Sequence, residues 1–147
     1  MEEADYNSDR AVNQPTRHSE LMASSLSIDP LYTGYFVGGL ALALGTLAFY
    51  MPSTMAGQFG LPLPTRSAEP LVQVKGARDI SIGLAYFLFG YQSNAQAVGV
   101  LVICHALVGV FDALIVWNHG VRQQVWGHVF GAGLLAALSW SILSRST

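Results

Sequence analysis

The chain is short of charge and almost without cysteine. Aspartate, glutamate, lysine and arginine make up only 11% of 147 residues, and half of them fall within the first thirty. A net charge of −2 offers no basic surface for nucleic acid. Cys104 stands alone, which excludes an internal disulfide and any C-x-x-C pair, and with them thiol oxidoreductases that work through one. The four histidines show no H-x-x-x-H or other tight ligand spacing, so neither a metal nor another cofactor is expected.

What is present is hydrophobic. Apolar and aromatic residues account for 52% of the chain, and its mean hydropathy is +0.41. The length allows one domain. Residues 1–30 are polar, with Glu2, Glu3, Asp5, Asp9, Arg10, Arg17 and Glu20 among Ser, Asn and Gln. Such a stretch buries little and is expected to be a disordered tail. It lacks the basic and apolar regions of a cleavable signal, so the first membrane helix is expected to do the targeting. Asp29-Pro30 then reads as an N-cap followed by proline at the first helical position.

Four apolar segments follow, over about 31–51, 70–90, 96–117 and 124–143. Each has roughly the 20 residues that cross a hydrocarbon core of about 30 Å. The expected fold is all-α: an integral membrane four-helix bundle with up-down topology, in the endoplasmic reticulum membrane. Pro52, Pro62, Pro64 and Pro70, with Gly57 and Gly60, make the first connection read as a structured or re-entrant loop rather than a helix. The other two connections, 91–95 and 118–123, are short enough to force hairpins. Tyr32, Tyr50, Tyr91, Trp117, Trp126 and Trp140 fall at interfacial ends. Gly34 and Gly38, Gly127 and Gly131, and Gly76, Gly83 and Gly90 recur at spacings that let helices pack closely in lipid. Arg66 and Arg122 oppose Arg10, Arg17 and Arg145, which leaves the orientation open.

The most informative residues are charges inside these segments, because charge in hydrocarbon is expensive and usually faces a cavity or another charge. Lys75, Arg78 and Asp79 lie early in the second segment, and Asp112 lies five residues before the end of the third. In an up-down bundle Asp79 and Asp112 fall on the order of 8–14 Å below the same membrane face. Tyr50 and His128 approach from that side as well, and His105 lies two turns deeper than Asp112. Ile82 to Phe89, toward the opposite face, offers almost nothing polar. This is the pattern of a pocket with one mouth.

Each residue also has a plainer role. Lys75 either pairs with Asp79 one turn on or snorkels to the headgroups. Asp79 neutralises Lys75 and Arg78, or acts as a catalytic carboxylate. Asp112 is either an interhelical partner of Arg78 or Lys75 or a free acid. His105 is a cavity histidine or a packing one, and His128 a wall residue or a headgroup-level one. His119 and Asn118 belong to a solvated turn.

Two carboxyls near a guanidinium in a dry pocket suit acid–base chemistry, since burial favours a protonated acid and a neighbouring cation an ionised one. Asp112, without a cation nearby in sequence, is expected to be the acid, and Asp79 the base. Such a pair can protonate an epoxide oxygen while activating water or an internal hydroxyl. Soluble epoxide hydrolases of the limonene-epoxide type use an Asp-Arg-Asp set in this way on an unrelated fold.

The run Val74-Lys75-Gly76-Ala77-Arg78-Asp79-Ile80, with Gly83-Leu84 after it, resembles the K-G-A-R-D signature of small four-helix membrane proteins. These are common in fungi and bacteria and mostly of unknown function. The resemblance covers residues 31–143 and implies that Asp112 is the second acid. Some fungal relatives are membrane-bound epoxide hydrolases of the aurovertin and citreoviridin type, which open polyene-derived epoxides in polyketide pathways. The resemblance thus implies a hydrolase or cyclase acting on a lipophilic epoxide, with catalytic Asp79, Asp112 and Arg78 and substrate-binding Lys75, His105, Tyr50 and His128. Two other readings stand beside it. One is a proton-coupled small-molecule transporter, although such exporters carry their essential acid in the first helix and Leu31 to Met51 has none. The other is a non-enzymatic scaffold locked by its charges.

Overall fold

The computed structural model describes residues 29–63 and 65–146. The expected tail lies, up to residue 28, outside the described residues. The chain is all-α among those residues: α1 Pro30–Tyr50, α2 Pro52–Gln58, a 3₁₀ turn Arg66–Ala68, α3 Glu69–Tyr91, α4 Ala95–His119 and α5 Arg122–Ser146. Helices α1, α4 and α5 are long and apolar enough to cross a membrane. Helix α3, at 23 residues about 34 Å long, matches them in length, but Lys75, Arg78 and Asp79 interrupt its apolar character. Large apolar side chains point outward along the helices, with Phe130 76% and Trp140 77% exposed, as suits a surrounding of lipid.

The helix ends follow from local chemistry. Asp29 caps α1, its carboxylate accepting the Leu31 N–H at 2.8 Å ahead of Pro30. Pro52 ends α1 and also opens α2 at its first position. The first connection therefore contains a helix, contrary to the loop its prolines and glycines suggest. Two bonds close α2: Leu61 N–H to Ala56 O at 2.9 Å and Gly60 N–H to Gly57 O at 3.1 Å. With Gly60 at φ +84° this is a Schellman motif. Helix α3 ends the same way, Asn94 N–H reaching Phe89 O and Ser93 N–H reaching Gly90 O, with Ser93 at φ 53°. Asn94 then caps α4 through the Ala97 N–H at 3.0 Å.

Packing is uneven. Helix α1 lies closely against α3, and α4 against α5, while contact between these two pairs is sparser. The α1–α3 seam is made by glycines: a Cβ on Gly45 would come within 2.6 Å of Gly76 O, and one on Gly83 within 2.8 Å of Gly38 O. Gly127 and Gly131 behave differently from the expected helix contacts, since a Cβ on either would meet nothing within 4 Å. One apolar cluster, Val37, Tyr86, Val98, Val102 and Ile142, draws on all four long helices at the end away from α2. A second, Ala113, Val116 and Val125 with Leu61, sits at the α2 end. Between the clusters the two helix pairs part.

Candidate active site

The α2 end is tied together by polar bonds that fix the mouth of this gap. Ser53 donates to Glu69 at 2.6 Å, holding α3 to α2, and Gln73 donates to Phe49 O at 3.1 Å, holding α3 to α1. Val121 N–H donates to Gly60 O at 2.8 Å, and His128 Nε2 donates to Phe59 O at 3.1 Å. The turn after α2 is thereby clamped to the start of α5, and Phe59 is set over the gap.

Lys75 occupies the centre. Its Nζ lies 2.7 Å from Asp79 Oδ2, 3.8 Å from Asp112 Oδ2 and 4.1 Å from the centroid of the Phe59 ring. The last is a cation–π distance. Arg78 reaches Asp79 Oδ1 from Nε and Nη2, both at 3.3 Å. Asp79 therefore has a cation on each oxygen, and its side chain is 8% exposed against 23% for Asp112. The helical spacing of Lys75 and Asp79 makes the first pair, and the lysine then links α3 to α4 through Asp112.

Two cavities meet at this cluster and share Phe59, Lys75, Asp112 and His128. The outer one, about 330 Å³, runs between the α2 turn, α3 and α4, with Leu61, Leu71 and Arg78 on its wall. The central one, about 360 Å³, runs between the helix pairs and takes in Asp79 and His105. Phe36, Leu40 and Leu44 of α1 and Leu134 of α5 line it while remaining exposed, and Gly127 and Gly131 add no side chain. It therefore opens sideways between α1 and α5. An apolar chamber with a few convergent polar groups is the usual form of a small-molecule site.

With this geometry in view, the family described as Domain of unknown function (DUF4267) matches residues 38–142. The chain belongs to that family. The DUF4267 match spans every charged residue of the cluster and both histidines beside it, so the site lies within the family domain and not in an appended segment. No curated protein and no solved structure matches the chain.

Of the residues singled out in the sequence, the fold gathers Lys75, Arg78, Asp79, His105, Asp112 and His128 around the two cavities. It does not bring Tyr50 there: that side chain is 79% exposed and lies edge-on to Phe49. Asp112, which has no cation near it in sequence, has Lys75 beside it in space. Two residues were not foreseen. Phe59 has no periodic pattern to announce it. Tyr86 lies inside the stretch that reads as featureless, yet it is fully buried with its hydroxyl unpaired, as is Nδ1 of His105. For Tyr86 a signal was available: it follows Asp79 by seven residues, as His105 precedes Asp112. An unpaired buried polar atom costs about 1–3 kcal/mol, so both require a reason. Among the described residues no group of three His, Cys, Asp or Glu side chains could hold a metal ion.

Proposed function

We propose that the chain is a membrane-embedded hydrolase or cyclase that opens an epoxide in a lipophilic, polyketide-derived substrate by carboxylate acid–base catalysis, on a scaffold of four membrane-crossing helices. One observation carries the reading: carboxylates from two different helices lie within 3.8 Å of a single ammonium, where two apolar cavities join. The sideways opening suits a substrate that arrives from the bilayer. Its hydrocarbon fills the central cavity and its epoxide stops at Lys75 and Asp112.

Asp79, paired with Lys75 and Arg78, takes a proton from water or from a hydroxyl of the substrate. The freed oxygen attacks one epoxide carbon and the carbon–oxygen bond breaks on the opposite face. Lys75 is engaged by Asp79 at 2.7 Å and stands 3.8 Å from Asp112, so Asp112 is the group that delivers a proton to the departing epoxide oxygen, and transfer of the captured proton from Asp79 to Asp112 restores both groups. Water gives a diol and an internal hydroxyl gives a cyclic ether. Arg78 steadies Asp79, while Phe59 and His128 close the polar end against bulk water.

Microsomes containing the protein and a polyene epoxide provide the test. Turnover is expected in the wild type and a loss of at least about 100-fold in Asp79→Asn and Asp112→Asn, the scale of general acid–base catalysis. Normal turnover in both folded variants ends the proposal. The Lys75–Asp112 link between helices also favours a second reading, a charge lock in a scaffold. Replacing both partners, Lys75→Met with Asp112→Leu, separates the two, because a lock tolerates apolar replacement of the whole pair and a proton donor does not.

A further inference from the structure

Two turns below the ion pairs, the wall of the central cavity carries an imidazole that nothing in the fold serves. His105 lines the cavity, its Nδ1 is enclosed without a partner, and its ring makes no hydrogen bond to any described residue. Beside it on α3 stands Tyr86, ring centroid 6.1 Å away, fully buried and with its own hydroxyl unpaired. The seven-residue steps from Asp112 to His105 and from Asp79 to Tyr86 place this second polar layer about 10 Å from the first. The cavity wall between the layers is apolar, with Ala41, Val108 and Leu135.

A neutral imidazole offers one donor and one acceptor, and a site with buried polar groups rejects ligands that leave them unpaired. A plain hydrocarbon in this cavity would displace water from His105 and return nothing. Nδ1 is enclosed by the protein, but Nε2 is not enclosed and has no partner among the described residues, so an oxygen at that depth would bond there. We propose that the central cavity recognises a lipophilic ligand with two oxygen functions about 10 Å apart. One is seated by Lys75 and Asp112, and the other, a carbonyl or hydroxyl, hydrogen-bonds to His105. The inference rests on the reading that this cavity is the substrate site, and it makes His105 a specificity-determining residue with Tyr86 at its back.

The experiment measures binding and not turnover. The full chain in nanodiscs is titrated calorimetrically with two probes, a straight-chain alkanol and the same alkanol bearing a ketone about 10 Å from its hydroxyl. The ketone probe is expected to bind at least about tenfold more tightly, a difference of about 1.4 kcal/mol. His105→Phe should bring the ratio of the two affinities close to one, and His105→Gln, which keeps an amide donor, should retain part of it. Equal affinities in the wild type, or an unchanged ratio in His105→Phe, overturn the inference and leave His105 a packing residue or the seat of a trapped water. If His105→Phe does not fold, the wild-type ratio and His105→Gln still decide. Discrimination without epoxide opening would remove only the enzymatic reading; epoxide opening without discrimination would remove only this one.

Discussion

Asp79 and Asp112 are the same side chain in two settings, and the difference should be measurable apart from catalysis. Asp79 is nearly buried and each of its oxygens meets a cation. Neutralising it leaves Lys75 with Asp112 alone and the half-exposed Arg78 to solvent, so the cost lies between about 1 kcal/mol, as for a surface pair, and about 3–5 kcal/mol, as for a fully buried one. Asp112 is more open and meets Lys75 at only 3.8 Å, so Asp112→Asn should cost no more than about 1 kcal/mol. Thermal unfolding in detergent is expected to show a larger drop in midpoint for Asp79→Asn than for Asp112→Asn. Equal drops would mean that Lys75 depends on both acids alike. Helical arithmetic sufficed to read the Lys75–Asp79 pair and the shared depth of Asp112 from the sequence. Depth says nothing about which way a residue faces, however, and Tyr50 has the right height on the wrong side of α1. Phe59 could not be read at all, because its position depends on a turn and on the His128 bond that clamps it.

At the scale of elements, the two Schellman turns make opposite predictions from one geometry. Gly60 holds φ +84°, and a Cβ there would also lie 2.7 Å from Gln124 Cβ and 2.9 Å from Val116 Cγ1. Gly60→Ala should therefore destabilise by about 1–3 kcal/mol and loosen the seat of Phe59, read as a lower unfolding midpoint. Ser93 occupies the equivalent position after α3 at φ 53°, where a side chain costs about 1–2 kcal/mol. Glycine removes that cost at an entropic penalty of about 0.5–1 kcal/mol. Ser93→Gly should raise the midpoint slightly, and a fall would show that the serine side chain compensates. The long helices were legible because about 20 mostly apolar residues in a row have few other uses. Helix α2 was not, because proline and glycine were read as breakers when here they mark its first residue and its C-terminal turn. The glycine repeats divided for a similar reason: spacing locates a face, but only packing decides whether that face meets a helix, as at Gly45 and Gly76, or an opening, as at Gly127 and Gly131.

For the whole molecule the topology turns on α3, the long helix whose charges set it apart from the three membrane-capable ones. The Gly60–Val121 bond puts the end of α1 and the α4–α5 turn at the same end of the structure. If α1 and α4 both cross the bilayer, the chain must return to the far side between them, and among the described residues α3 is the only element long enough to do so. Its charges are tolerable because Lys75, Arg78 and Asp79 satisfy one another near one end while Tyr86 and its apolar neighbours fill the rest. Single cysteines in a Cys104→Ser background, labelled in sealed vesicles with a membrane-impermeant maleimide, test this directly. Thr65→Cys and Gln123→Cys should react from one face, and Gln92→Cys, in the α3–α4 turn, only from the other. Labelling of Gln92→Cys together with Thr65→Cys would mean that α3 does not cross, and the charge cluster would then lie at a membrane surface where water reaches it. A dry acid–base site could not exist there, so the topology of this one helix decides whether the proposed chemistry has a place to occur.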